Sequence, residues 1–289
     1  MIMADIKRNT VPVKKAGKSI GKVICNVVLL LFSFSCIFPM VWIFYSSFKT
    51  QTEFTQSSTA LPQALNLKNY ISVFTQTKLG MYMLNSARNT ILSVLVIIVF
   101  SFLAGYVLSR YRFKGRSLIY NYFIMGMLIP VHALLVPMYV QLRQSGLTNH
   151  WYTLLFPYVA FGLPISIMLI ESYIASIPKE LEEAASIDGC GFFRCLFQIV
   201  FPLAMPILST VAIIQFFAVW NEFSFSLILV NSDTLRTVPV GLTMFKSAYT
   251  VDYPRLMAGI MTTTLPVMIL YFVFSKRIIE GMVAGAVKG

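Results

Sequence analysis

Charged residues are scarce in this sequence: Asp, Glu, Lys and Arg make up 12% of the 289 residues, about half the share in an ordinary soluble domain. Hydrophobic residues reach 57% instead. An apolar excess of this size needs lipid as well as a protein core to face. These proportions exclude a soluble enzyme, a disordered tail protein and a small secreted scaffold, and they indicate a polytopic membrane protein.

Metal ligands and nucleotide motifs are scarce too. The four cysteines include the pair Cys190 and Cys195, but no second Cys or His pair follows to complete a zinc site. We interpret them as small packing residues. The two histidines are not clustered, which argues against a membrane-embedded enzyme, and we expect His132 to be packed in the core. The sequence contains no phosphate-binding G-x-x-x-x-G-K-[ST] loop, so any ATP must be bound by another chain.

Six apolar runs are each long enough to cross a bilayer as a helix. A transmembrane helix is favoured because it satisfies its own backbone hydrogen bonds. The predicted spans are Val23–Phe48, Ala87–Ser109, Ser117–Leu142, Trp151–Ile174, Ala204–Val230 and Leu256–Ser275.

The formal net charge is +12, but the basic residues form short clusters between the apolar runs, which is typical of membrane topology and not of nucleic-acid binding. One cluster precedes the first run and another extends from Arg110 to Arg116. Both termini are therefore predicted to be cytoplasmic. We divide the chain into a cytoplasmic segment 1–22, a transmembrane domain 23–280 and a cytoplasmic tail 281–289.

The stretch Ser176–Pro206, between the fourth and fifth runs, lies on the predicted cytoplasmic side. Pro178 suits the start of a helix. Acidic residues follow where the helix dipole favours negative charge: Glu180, Glu182 and Glu183. Acidic residues argue against a helix lying on anionic lipid, so this segment is predicted to be a docking element for a basic partner surface.

Gly189 follows this helix and can take the left-handed conformation that ends it. A second, apolar helix is predicted from Phe192 to Phe201, stopping at Pro202. The whole unit is therefore a helix, a glycine turn and a second helix that project into the cytoplasm.

The loop also contains a longer pattern. Glu183-Ala184-Ala185, three residues, Gly189, nine residues and Ile199-x-Phe201-Pro202 resemble the E-A-A-x3-G-x9-I-x-L-P loop of binding-protein-dependent ABC importer permeases. Trp220-Asn221-Glu222-Phe223 and the ending Glu280–Gly289 resemble the carbohydrate branch, in particular the smaller permease of maltose-type importers. This resemblance implies an all-α polytopic membrane protein with six transmembrane helices and a cytoplasmic helix-turn-helix coupling loop, residues 176–206, between spans four and five.

The resemblance further implies a role in sugar or oligosaccharide import across a bacterial plasma membrane, as a multi-pass transport subunit and not an enzyme. The expected partners are a different second permease, two ATPase subunits, an extracellular solute-binding protein and membrane lipid, without nucleic acid. ATP and Mg²⁺ would bind the ATPase subunits, and this chain would bind no cofactor or metal. The implied ATPase-coupling residues are Glu182, Glu183, Ala184, Ala185, Asp188 and Gly189.

Ionisable residues inside a span are functional candidates, and Glu222 is predicted to lie well inside the fifth run beside Asn221. These two residues could contact the pathway or the partner permease. Alternatively, Glu222 could form a structural pair across helices or lie near the outer interface, where Trp is common. Two alternative functions stay open: import of another small solute, and ion-gradient-driven secondary transport. The second usually shows internal repeats and acids near the midplane, and this sequence has no clear repeat.

Overall fold

A computed structural model describes residues 16–245 and 251–286, with side chains for 21–245 and 251–274. Residues 1–15 of the predicted N-terminal segment and 287–289 of the predicted tail lie outside the described residues. The described α-helices are α1 (Ala16–Ser46), α2 (Gln51–Gln56), α3 (Lys68–Thr75), α4 (Leu79–Arg110), α5 (Arg116–Gly126), α6 (Leu135–Gln144), α7 (Leu155–Ser176), α8 (Glu180–Ile187), α9 (Phe192–Cys195), α10 (Phe201–Trp220), α11 (Ser224–Leu229), α12 (Val238–Leu242) and α13 (Tyr253–Ala286).

Five helical segments in the described residues are long and apolar enough to cross a membrane. The number reaches six when a bent pair of shorter segments, Arg116–Gly126 and Val131–Gln144, is counted as one broken span. The structure thus agrees with the predicted all-helical fold. The five continuous segments are Gly21–Ser46, Leu79–Arg110, Leu155–Ser176, Phe192–Trp220 and Tyr253–Phe274.

The third predicted span, Ser117–Leu142, is not continuous. Its two segments are bent by 89°. The first helix ends at Gly126, and Pro130 has an extended backbone with ψ 117°. Proline disfavours a helical conformation in the residue before it and has no N–H to donate. A break therefore forms inside an apolar run whose composition alone indicated one helix.

The boundaries of the fifth predicted span and of the second loop helix were also wrong. The helix that begins at Phe192 does not stop at Pro202 but continues to Trp220. A π-helical turn, Leu196–Val200, precedes the proline, and the Phe201 N–H donates to the Leu196 carbonyl. Proline is tolerated at the start of the α-helical part because no intrahelical donor is required there.

The core of the membrane region forms where α4, α7 and α10 pack together. Glycines allow the closest approaches. A Cβ atom added at Gly105 of α4 would lie 2.9 Å from Cγ2 of Ile170, and one at Gly162 of α7 would lie 2.9 Å from Oε1 of Gln215 and would collide with the side chain of Ile97. The amide of Gln215 also donates to the Gly162 carbonyl at 3.1 Å. Close packing at these glycines holds the three helices together.

Helix α1 is the exception to this packing. The membrane-spanning part of α1, Gly21–Ser46, has none of its most apolar window buried within the chain. A helix that is apolar on all sides requires lipid or another protein around it. Helix α1 contacts α13 and its last residue, Ser46, is buried, so the chain leaves most of this spanning helix exposed to its surroundings.

We predict that Gly162→Val destabilises the protein, because the added side chain overpacks the junction of α4, α7 and α10. Overpacking of a core costs about 1–3 kcal/mol, which corresponds to a fall in Tm of roughly 5 °C for a chain of this size. The measurement is thermal unfolding of the purified chain in detergent.

Gly80→Val is the matched control, since a Cβ atom at Gly80 meets nothing within 4 Å. Its Tm should stay close to that of the wild type. Equal Tm values for Gly162→Val and wild type would contradict the close packing described above.

Candidate functional site

The loop between α7 and α10 contains a short helix, α8, close to where the sequence predicts one. It begins at Glu180, two residues after Pro178, and ends at Ile187. All three glutamates of the predicted cluster lie in its first turn. Their carboxylates are near the free N–H groups of the helix start, where negative charge is favoured.

Gly189 ends α8 with a φ of +79°, as the sequence predicts. Its N–H donates to the Ser186 carbonyl at 3.1 Å, and the Cys190 N–H donates to the Ala185 carbonyl at 2.9 Å. This pair of bonds is the Schellman arrangement that closes a helix with a left-handed residue. No atom lies within 4 Å of a Cβ placed at Gly189, so within this chain a side chain there would meet open space.

One side of α8 faces away from the rest of the chain. We call these residues the α8 outer face: Glu183, Ala184, Ile187, Asp188 and Gly189, all exposed. Ile187 is 86% exposed, and the sequence analysis did not include it among the coupling residues. Its spacing of four residues from Glu183 was the available signal, because such positions share a helix face.

Two of the six predicted coupling residues point inward. Ala185 is buried against the chain. Glu182 forms an ion pair with Arg110 at the end of α4, and the two side chains are only 15% and 6% exposed. The Tyr106 hydroxyl also donates to Glu182 at 2.9 Å, and Arg110 donates a further bond to the Ile177 carbonyl at 3.0 Å. We call this group of contacts the α8 brace.

The sequence analysis used Arg110 only as a topology marker and did not consider Tyr106. The two residues were missed as site residues because their partner is distant in sequence: 72 residues separate Arg110 from Glu182. A second ion pair lies nearby, between Arg116 and Glu171 at 3.2 Å. Two residues of the basic cluster therefore pair with acids: Arg110 with Glu182 of α8, and Arg116 with Glu171 of α7.

Glu222 does not lie inside a span, contrary to the sequence-based expectation. Helix α10 ends at Trp220, and Glu222 occupies the break before α11. Its carboxylate accepts the Phe225 N–H at 2.7 Å and the Ser226 N–H at 3.2 Å, together with the Tyr158 hydroxyl at 3.0 Å. Glu222 thus caps the start of α11, whereas Asn221 beside it is exposed.

A group of polar contacts joins the outer end of α4 to the chain between α11 and α12. The Asn85 amide donates to the carbonyls of Thr234 and Arg236 at 2.8 and 3.0 Å. Asp233 accepts hydrogen bonds from Lys78 and Tyr82. Hydrogen bonds from Lys78, which has the larger effect, and from Tyr82 stabilise the charged form of the Asp233 carboxyl. They lower its pKa below the usual value.

Several other polar residues of the membrane region have local partners, whereas buried side-chain oxygens of Asn89, Thr90 and Ser93 have none among the described residues. Arg88 lies over the ring of Trp151 at 5.5 Å and donates to its carbonyl at 3.4 Å, as expected of an interfacial anchor. Thr262 and Thr263 bond back to carbonyls of their own helix. His132 is exposed and not packed in the core, because the break at Pro130 places it on a separate turn.

The membrane part also has an apolar groove between α4, α10 and α13, with a volume of about 320 Å³. It continues toward the outer end of α4 through the shared residues Ile91, Phe216 and Leu270. Such a surface suits a helix or an acyl chain and offers a sugar few hydrogen-bond partners. No group of three or more His, Cys, Asp or Glu side chains among the described residues could hold a metal ion.

Known proteins share this sequence and architecture. The chain is 35% identical over 88% of its length, and 85% of the relative's, to the diacetylchitobiose uptake system permease protein NgcG of Streptomyces coelicolor. It is 34% identical over 93% of its length, and 97% of the relative's, to the trehalose/maltose transport system permease protein MalG of Thermococcus litoralis. These relatives confirm the prediction of a transport subunit of the ABC permease type.

A solved structure has the same fold. It is a chain of a bacterial ABC transporter involved in the import of the acidic polysaccharide alginate, with a TM-score of 0.82, 24% identity and coverage of 92% of this chain and 99% of that one. The family model described as "Binding-protein-dependent transport system inner membrane component" matches residues 97–280, which contain the α8 loop and the last three continuous spans. The chain therefore belongs to the family of inner-membrane permease components of binding-protein-dependent ABC transport systems.

Proposed function

We propose that this chain forms one half of the membrane pathway of an ATP-driven importer for a sugar or oligosaccharide. The names of its relatives, which include a diacetylchitobiose and a trehalose/maltose permease, support the substrate class. Membership of the ABC permease family removes the alternative of an ion-gradient-driven carrier. The domain division of the sequence analysis, with residues 23–280 as the transmembrane domain and both termini in the cytoplasm, belongs to the same proposal.

The α8 outer face is the proposed contact with the ATPase subunits. The single observation that supports this assignment is the geometry of α8: a capped acidic helix with four of the six predicted residues exposed and no partner for that face in the chain. ATP and Mg²⁺ bind the two ATPase chains and not this one. Closure of the ATPases would press on α8, and ATP would favour one state of the pathway because the two states contact it differently.

The exposed helix α1 and the apolar groove support a second permease as the other half of the pathway. Helix α1 is apolar over a length that spans a bilayer, and the groove is lined almost entirely by apolar side chains. Membrane proteins bury such surfaces against lipid or neighbouring helices. Asn221 is the proposed pathway or partner contact at the α10–α11 break. Glu222 positions it. A solute-binding protein outside the membrane would deliver the sugar.

The first experiment is affinity purification of the tagged chain from its native membrane in mild detergent, with the bound chains identified by mass spectrometry. We expect an ATPase with a phosphate-binding loop and a second permease among the bound chains. Recovery of this chain alone, or only as a homo-oligomer, would contradict the proposal. The copurifying or co-encoded binding protein is then tested for thermal stabilisation by maltose, trehalose and diacetylchitobiose.

The combination of Glu183→Ala and Gly189→Val is expected to uncouple ATP hydrolysis from transport. The first change removes an exposed carboxylate. The second adds a side chain to the α8 outer face and strains a left-handed residue by roughly 1 kcal/mol. The complex should stay assembled, with ATPase activity retained, while uptake of the sugar bound by the binding protein falls about tenfold or more in proteoliposomes.

The matched control combines Glu180→Ala with Gly191→Val. Glu180 is exposed outside the α8 outer face, and Gly191 has an ordinary φ of −71° with nothing within 4 Å of an added Cβ. Uptake by this control should equal that of the wild type. Normal uptake by an assembled Glu183/Gly189 variant would refute the proposed ATPase contact.

Glu222→Ala is expected to lower the Tm of the purified chain, because two N–H groups of α11 and the Tyr158 hydroxyl lose their acceptor. Loss of a helix cap alone costs about 1 kcal/mol. Asn221→Ala should leave the Tm unchanged, since this residue is exposed, and should reduce sugar uptake in the assembled complex. An unchanged Tm for Glu222→Ala would show that the capping bonds do not stabilise the chain.

A further inference from the structure

We infer that α4 transmits the displacement of α8 to the opposite side of the membrane, with Arg110 and Glu182 as the positioning residues that connect the two helices. This inference rests on the proposed function, in which ATPase subunits displace α8. It concerns the route that the displacement takes through the chain.

The inner connection is the α8 brace. The ion pair of Arg110 and Glu182 is almost fully buried, and the Tyr106 hydroxyl occupies the second carboxylate oxygen of Glu182. A buried carboxylate with two donors from one helix has a single favourable position, because any shift leaves a charge without a partner in a poorly solvating environment. Helix α8 is therefore fixed to the last turns of α4.

Helix α4 connects the inner contacts to the outer ones. Its 32 residues, Leu79–Arg110, extend over about 48 Å at 1.5 Å per residue, so it reaches from the cytoplasmic to the outer side. Its sequence contains no proline. Each of the other four continuous spanning segments in the described residues has a proline inside it: Pro39, Pro164, Pro206 and Pro266. Proline is the commonest site at which a helix bends, and α4 alone of the five segments lacks this source of bending. Gly105 within α4 is packed closely against Ile170 of α7.

The outer connection involves the first two turns of α4. The Asn85 amide donates hydrogen bonds to the carbonyls of Thr234 and Arg236. The Ser86 hydroxyl accepts the Val238 N–H at 2.9 Å. Lys78 forms an ion pair with Asp233 at 2.6 Å. The segment 233–238 is thereby attached to α4 by both side-chain and backbone bonds.

The covalent route from α8 to α10 is less suited to transmit a displacement. It passes through Gly189 and Gly191, then through the π-helical turn Leu196–Val200 and two prolines of α10. Glycines and π-turns are where a helical chain changes direction most readily. The connection through the α8 brace bypasses all of these points.

The test measures two distances by pulsed electron paramagnetic resonance in the full complex, copurified through a tag on this chain and placed in lipid nanodiscs. One pair of spin labels at Ser186→Cys and Val99→Cys, with Ser186 outside the α8 outer face, spans the inner connection. Another at Leu84→Cys and Asn231→Cys spans the outer one. All four wild-type positions are exposed, and the native cysteines are replaced. Each pair is compared between nucleotide-free and ADP–vanadate-trapped complexes.

In the otherwise wild-type chain both distances should agree between the two states within about 2 Å, because α8, α4 and the outer segment move together. Glu182→Gln should release α8, so that the inner distance changes by roughly 5 Å, the size of a one-turn helix shift. Glu180→Gln, an exposed carboxylate of the same helix, is the matched control and should behave as the wild type. A large change without Glu182→Gln, or no change with it, overturns the inference.

A second measurement needs no ATPase. Hydrogen exchange of the α8 amides in the purified chain should accelerate about tenfold in Glu182→Gln and stay unchanged in Glu180→Gln, because the brace limits local opening of α8. Equal exchange in Glu182→Gln and wild type would overturn the role of the brace. Absence of an ATPase from the purified complex would instead contradict the proposed function, so the two failures are distinguishable.

Discussion

In a bilayer, backbone N–H and C=O groups have no water to bond, and each must be satisfied within the protein. Every break in a membrane helix of this chain therefore needs its own solution. The break after Trp220 is closed by the Glu222 carboxylate, which accepts two backbone donors of α11. Outside the spanning segments, helix α8 is closed in a comparable way by the Gly189 turn, which satisfies carbonyls of its last turn. The residues at these helix breaks and ends therefore have the most specific structural roles.

The same constraint explains how much could be predicted. Long apolar runs have few alternatives to helices in lipid, so the approximate number and order of the spans followed from composition, and the α8 helix with its Gly189 terminus followed from local signals. The bounds did not follow, because apolar residues continue across the break near Pro130 and resume after Asn221 and Glu222 at the end of α10. The inward contact of Glu182 could not be predicted either, since its partner Arg110 is 72 residues away in sequence.

The described residues leave two apolar surfaces largely uncovered. The most apolar window of α1 has no buried residue, and the membrane groove between α4, α10 and α13 is apolar. Thr262 bonds to its own helix and Glu222 caps α11, whereas buried side-chain oxygens of Asn89, Thr90 and Ser93 have no hydrogen-bond partner among the described residues. In the proposed importer the apolar surfaces would face a second permease, and the α8 outer face would meet the ATPase subunits.

The α8 outer face is small: three of its five residues lie in the eight-residue helix α8, and Asp188 and Gly189 follow it. Its shape is fixed from within by the brace and the glycine turn and does not depend on the membrane groove or on the outer segment. Sequence change around the solute pathway can therefore proceed without altering the surface that the ATPase contacts. A face of this kind is interchangeable between importers, and one ATPase could drive several permeases of different specificity if each preserved these five positions.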